Sequence, residues 1–147
     1  MWGVHWGNHS DGPMSLLLLL EDSPADIKRA DEVARRAGFT EIEVHRFATD
    51  ARIYLEKGLR GEVPLPEAIV LDIDLGLESG FELLRFWHRI PELKTIPLFV
   101  WTVTGDQYRE VCGLFGVCEF VSKDDGPAAL LKVLAPVIPN EDSAATA

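Results

Sequence analysis

The chain has 147 residues, of which 47% are hydrophobic, enough to bury one α/β core and too few for two. Its 24 Asp and Glu against 14 Lys and Arg give a net charge of −10, which excludes a general attraction to nucleic acid or anionic membrane and favours a basic partner surface. The longest apolar run, Leu16 to Leu20, is far below the roughly 20 residues a bilayer span requires, and it lacks the basic flank and small-residue cleavage site of a signal peptide. The expected location is the cytoplasm.

Residues 1–13 show no helical or strand periodicity and read as a disordered leader. His5 and His9 stand four residues apart, but without a helix beneath them or a carboxylate or Cys nearby they are not expected to bind metal. Leu16 to Leu20 then reads as a short buried strand. Ser23-Pro24-Ala25-Asp26 supplies an N-cap, a first-turn proline and a first-turn acid, predicting a helix to about Ala37 with Gly38 just beyond its end.

Glu41 to Phe47 alternates Ile42 and Val44 with charged residues and predicts a second, more exposed strand. Thr49-Asp50 caps a second helix that Gly58 ends. Ala68 to Ile73 is a third apolar run. A third helix follows Ser79-Gly80, with Phe81, Leu83, Leu84 and Trp87 inward. Ile96 to Trp101 is a fourth strand, Asp106 to Phe115 a fourth helix and Cys118 to Val121 a fifth strand. Pro127 opens a last helix that Pro136 ends. Cys112 and Cys118 are read as reduced, mostly buried thiols. His45 and His88 are assigned to surface or helix-flank positions, without a partner pattern.

Strand and helix thus alternate five times between residues 14 and 138, predicting a doubly wound five-stranded parallel sheet with helices on both faces. Residues 139–147 read as a flexible tail. In such a sheet, ligand sites lie beyond the carboxyl ends of the strands. Glu21-Asp22 end the first strand, Asp72 ends the third, Thr102 follows the fourth and Lys123 follows the fifth. Three acids brought together there repel one another unless a hard divalent cation sits among them.

In their order and context, Leu-Leu-Leu-Glu21-Asp22-Ser-Pro-Ala-Asp, Leu-Asp72-Ile-Asp-Leu-Gly-Leu-Glu-Ser-Gly80, Ile-Pro97-Leu-Phe-Val-Trp-Thr102 and Gly116-Val-Cys-Glu-Phe-Val-Ser-Lys123 resemble the receiver domain of two-component response regulators, of the stand-alone chemotaxis type. The resemblance runs over roughly residues 16–134. It implies the flavodoxin-like (βα)5 fold and a phosphoryl group accepted on Asp72 from a sensor histidine kinase or phosphotransfer protein. It implies Mg²⁺ held by Asp22, Asp72 and the backbone carbonyl of Asp74, with Glu21 on a metal-bound water. Lys123 would pair with a phosphoryl oxygen, while Thr102 and Phe120 would be the switch residues. The face made by the fourth helix, fifth strand and fifth helix would dock a protein effector or a second copy of the chain, with no nucleic acid or membrane partner.

Three positions depart from that family's pattern. Gly76 stands where proline is usual, Val103 replaces a small residue, and Asp124 follows Lys123 in place of proline, where it could compete for the lysine's charge. Two alternatives therefore stand beside the receiver: a pseudo-receiver that binds partners without phosphorylation, and a haloacid-dehalogenase-type phosphohydrolase opening on Asp72-Ile-Asp74.

Overall fold

The computed structural model describes residues 14–76, 78–103 and 106–139. The expected leader and residues 140–147 of the expected tail lie outside them.

The chain alternates strand and helix as β1 (Leu16–Leu20), α1 (Pro24–Arg36), β2 (Glu41–His45), α2 (Ala48–Leu59) and β3 (Ala68–Leu71). Beyond β3 come α3 (Phe81–Arg89), β6 (Leu98–Thr102), α5 (Arg109–Leu114), β7 (Glu119–Ser122) and α6 (Pro127–Leu134). Between β3 and α3, Asp74–Leu75 (β4) and Glu78–Ser79 (β5) pair as a short antiparallel ladder. A four-residue helix, α4 (Pro91–Lys94), precedes β6.

The five long strands form one parallel sheet in the order β2-β1-β3-β6-β7. Successive side chains of a strand point to opposite faces, so the five leucines of β1 supply both cores. Leu18 and Leu20 pack with α2, α3 and α5, while Leu17 and Leu19 pack with α1 and α6. Each face carries its own apolar layer, which is why β1 and β3 are fully buried and read as unbroken apolar runs. The edge strand β2 is covered on less of its surface and keeps its alternation with charged residues.

Several local expectations are corrected. Gly58 lies inside α2, which runs on to Leu59. A Cβ there would stand 2.5 Å from Leu65 Cδ2, so the glycine serves close packing and the chain turns instead at Gly61, with φ +79°. Thr49 and Asp50 fall within α2, whose N-cap is Phe47 without a side-chain cap. The third strand stops at Leu71, and the fourth and fifth run one residue beyond the expected ends, so Thr102 closes β6. The fourth helix begins as a 3₁₀ turn over Asp106–Tyr108. Cys112 is buried as expected, but Cys118 is exposed, because it precedes the edge strand β7. His45 has partners after all: its Nε2 lies 3.0 Å from Glu43 and its ring packs on Tyr54.

No described helix is long and apolar enough to cross a membrane.

Candidate functional site

The carboxyl edge of the sheet gathers Glu21, Asp22, Asp72, Thr102 and Lys123 because the parallel register aligns the strand ends. Leu20 pairs with Leu71, and Thr102 with Ser122. Apart from Ser15, every buried polar residue among the described ones lies at this edge: Glu21, Asp72, Thr102 and Lys123. Burying such groups is costly unless they satisfy one another, and Lys123 is the means. Its Nζ donates to Asp72 Oδ2 at 2.9 Å and to Asp26 Oδ2 at 2.8 Å, and lies 2.8 Å from Glu21 Oε1. It also sits over the Trp101 ring, 4.9 Å from the centroid, so Trp101 forms the apolar floor beneath the ammonium.

The remaining oxygens are held by backbone amides. Asp72 Oδ1 accepts from the Asp74 amide at 3.1 Å, and Glu21 Oε2 from the Ser23 amide at 3.1 Å. Burial pushes the Glu21 carboxyl above its usual pKa range, an effect the Lys123 hydrogen bond and charge reduce. Burial alone would lower the pKa of Lys123, but its bonds to Asp26, Glu21 and Asp72 outweigh that and hold the ammonium well above its ordinary value.

Two glycines admit this geometry. A Cβ at Gly80 would collide with the Asp72 carbonyl oxygen, so the backbone after β3 can fold back against Asp72 only over a bare glycine. Gly76 has φ +74°, a conformation closed to proline, and a Cβ there would lie 3.4 Å from Asp22 Oδ2. The departure from proline at this position is therefore matched by a different turn, which closes with the Gly76 amide donating to Asp74 Oδ1 at 3.4 Å.

At the other departures, Val103 is exposed, and Asp124 is not the carboxylate that takes Lys123's charge. Lys123–Asp125 form a 3₁₀ turn in which Ser122 Oγ accepts from the Asp124 amide at 3.1 Å, and the Asp124 side chain is exposed. The carboxylate that joins Asp72 and Glu21 around Lys123 is Asp26, which sequence reasoning assigned only to the helix dipole. The available signal was its place one helical turn after Asp22. Phe120 is buried beneath Arg109, whose Cζ lies 4.8 Å from the ring centroid and whose Nη1 donates to the Phe120 carbonyl at 3.3 Å.

The oxygen donors at this edge suit a hard cation: Glu21 and Asp72 present carboxylates here, and together with Asp26, which is outside the expected ligand set, they surround a single ammonium. Among the described residues no three acidic, His or Cys side chains stand in ligating geometry. Lys123 occupies the space between the acids.

No family model matches the chain. It is 32% identical over 97 residues to the response regulator Rcp1 of Synechocystis sp., an alignment spanning 65% of this chain and 66% of that relative. The crystal structure of the Mn²⁺-bound form of Rcp1 superposes with a TM-score of 0.68 at 26% identity, covering 84% of this chain and 91% of that one. That of the phosphorylated cyanobacterial phytochrome response regulator RcpA gives 0.70 at 25%, covering 91% and 96%. The chemotaxis response regulator CheY4 of Vibrio cholerae shares the fold, with a TM-score of 0.70 at 21% identity over 85% and 99%. With the five-stranded order and the acids and lysine gathered at its carboxyl edge, these likenesses show that the chain belongs to the receiver family of response regulators.

Proposed function

We propose that the protein is a phosphorylation-dependent receiver: Asp72 accepts a phosphoryl group from a histidine kinase or phosphotransfer protein, and the modified domain signals by contact with other proteins. The observation that carries this reading is the buried Lys123–Asp72 pair at 2.9 Å, with the other Asp72 oxygen taking the Asp74 amide. An oxygen of Asp72 attacks phosphorus and forms an O–P bond as the P–N bond to the donor imidazole breaks, the ring nitrogen keeping the electron pair. From an acyl phosphate the bond broken is P–O, and the carboxylate leaves with the pair. Hydrolysis later returns the Asp72 carboxylate and inorganic phosphate.

Lys123 supplies the fixed positive charge that draws the anionic donor toward Asp72, while backbone amides orient the nucleophile. Asp22 and Asp72, with the Asp74 carbonyl and Glu21 through a water, would hold Mg²⁺. Bound there, the ion would cancel phosphoryl charge and align the reacting oxygens. That Rcp1 has a Mn²⁺-bound form and RcpA a phosphorylated one supports both parts of the proposal. Thr102, buried at the end of β6, and Phe120 on β7 would carry the change to the face formed by α5, β7 and α6. The phosphohydrolase alternative gains no support, since Asp72 follows the third strand of the chain and Glu21 would have no part in it.

Intact-protein mass after incubation with acetyl phosphate or phosphoramidate and Mg²⁺ tests the reading. One labile phosphoryl adduct is expected in the native chain and none in Asp72→Asn or without the cation. A chain that binds Mg²⁺ yet forms no adduct with small donors or with a panel of histidine kinases would instead be a pseudo-receiver.

A further inference from the structure

We infer that Asp26 is a positioning residue for Lys123: it is the partner that keeps the ammonium in the site when Glu21 and Asp72 are engaged elsewhere. This rests on the proposed phosphorylation of Asp72 and adds a residue to that machinery. An ammonium has three protons: Lys123 donates to Asp26 Oδ2 at 2.8 Å and to Asp72 Oδ2 at 2.9 Å, and Glu21 Oε1 lies 2.8 Å away as an ion-pair partner. A phosphoryl oxygen can reach a lysine ringed by three carboxylates only by displacing at least one of them, so one of the three contacts yields during the reaction.

Two of those partners face a second demand. Glu21 and Asp72 belong to the set that would hold the divalent ion, and a cation bound there would both draw off their charge and repel the ammonium. Asp26 stands apart from that set. It lies on the first turn of α1, its amide donates to Ser23 Oγ at 3.3 Å, and its other carboxylate oxygen accepts from Arg29 at 3.3 Å. These contacts hold the carboxylate from α1 and leave Oδ2 to Lys123. Without Asp26 the ammonium has only Glu21 and Asp72 to pair with, and it then competes with the cation for both. With Asp26, Lys123 can loosen from the other two, donate a hydrogen bond to a phosphoryl oxygen and still stay charged over Trp101. The 3₁₀ turn at Lys123–Asp125 holds the lysine backbone, but Asp26 holds its charged end.

The test compares the full chain with Asp26→Asn, Asp26→Glu and Asp124→Asn. The last removes one charge a single residue from Lys123 without touching its contacts, and so measures the general electrostatic effect. Mg²⁺ affinity is read by titration calorimetry, and adduct formation with acetyl phosphate at saturating Mg²⁺ gives kcat and KM separately. Asp26→Asn is expected to weaken Mg²⁺ binding about fivefold beyond Asp124→Asn. It should also lower kcat about tenfold with little change in donor KM, and Asp26→Glu should recover most of both. A purely structural role for Asp26 would move the melting temperature without this kinetic split.

Equal effects of Asp26→Asn and Asp124→Asn would overturn the inference, as would an Asp26→Glu variant as impaired as Asp26→Asn. A faster Asp26→Asn would also overturn it, making Asp26 a competitor for the ammonium. If the native chain forms no adduct at all, the reading of Asp72 fails, while the calorimetric comparison still decides the role of Asp26.

Discussion

Two lysines of this protein sit over tryptophan rings at opposite ends of the sheet, and they do different work. Lys123, beyond the carboxyl end of β7, lies 4.9 Å from the Trp101 centroid, and Lys94, before the amino end of β6, lies 4.6 Å from that of Trp87. The cation–π contact is the same. The other partners are not. Lys123 faces three carboxylates, whereas Lys94 Nζ donates to the Phe115 carbonyl at 3.0 Å and lies 3.1 Å from His88 Nδ1. Phe115 is the C-cap of α5, so Lys94 answers the negative end of a helix. Neutral dipoles fix a lysine in place but give it nothing to exchange, while carboxylates can be shared with a second cation or traded for phosphoryl oxygens. The charge of its acceptors thus decides whether a lysine over a tryptophan is only held in place or can exchange partners, as the proposed reaction asks of Lys123.

The strongest way to break this contrast is through the glycine beside each lysine's partners. Gly80→Ala drives a Cβ into the Asp72 carbonyl oxygen, a backbone atom that cannot swing aside. It is expected to cost about 3 kcal/mol by urea unfolding and to displace Asp72. A cost below about 1 kcal/mol would mean that the β3–β4 connection has slack.

Lys123→Met should slow adduct formation at least about 100-fold, as loss of a preorganised transition-state charge does. Lys94→Met should leave it within about twofold while lowering stability by about 1 kcal/mol. Comparable kinetic losses in the two variants would erase the distinction. Gly116→Ala falls between Gly80→Ala and Lys94→Met in stability. Gly116 has φ +90°, and a Cβ there would stand 2.6 Å from Lys94 Nζ, so strain and a displaced lysine together should cost about 1.5 kcal/mol without touching phosphorylation.

The same contrast explains what the sequence revealed. The strands were legible because β1 and β3 are buried along their whole length while β2, at the sheet edge, has no buried residue and alternates apolar with charged ones, giving distinct patterns. Glu21, Asp72, Thr102 and Lys123 were legible because each closes or follows such a run, and parallel pairing aligns the ends. Asp26 was not, because its pairing with Lys123 joins residues 97 positions apart, and locally it looks like an ordinary first-turn acid. The Lys94 cap was hidden for the same reason: a lysine at the end of a four-residue helix acquires meaning only when Phe115, 21 residues on, brings its carbonyl beneath it. Gly58 misled because a glycine in a helical pattern commonly marks an end, and only the approach of Leu65 shows that this one is needed for packing.

The smallest expected effect separates the two regions by pH. Burial raises the pKa of Glu21 in the fold, so the folded chain binds that proton more tightly than the unfolded one. Stability is accordingly lost as pH rises from the unfolded value, about 4.3, to the raised folded value, and it stays lost above it. Ionised Glu21 is thus a net cost at pH 7, one that the proposed cation site would turn to use. Glu21→Gln is expected to raise the melting temperature at pH 7 by about 2–4 °C and to weaken Mg²⁺ binding. The gain should shrink as pH falls toward 4, where the native carboxyl is also neutral. Lys94→Met should show no such pH-dependent gain, since no carboxylate contacts that lysine among the described residues. A Glu21→Gln variant less stable than the native chain at pH 7 would mean that pairing with Lys123 outweighs the burial of Glu21, and that the acids at this edge stabilise the fold as well as the site.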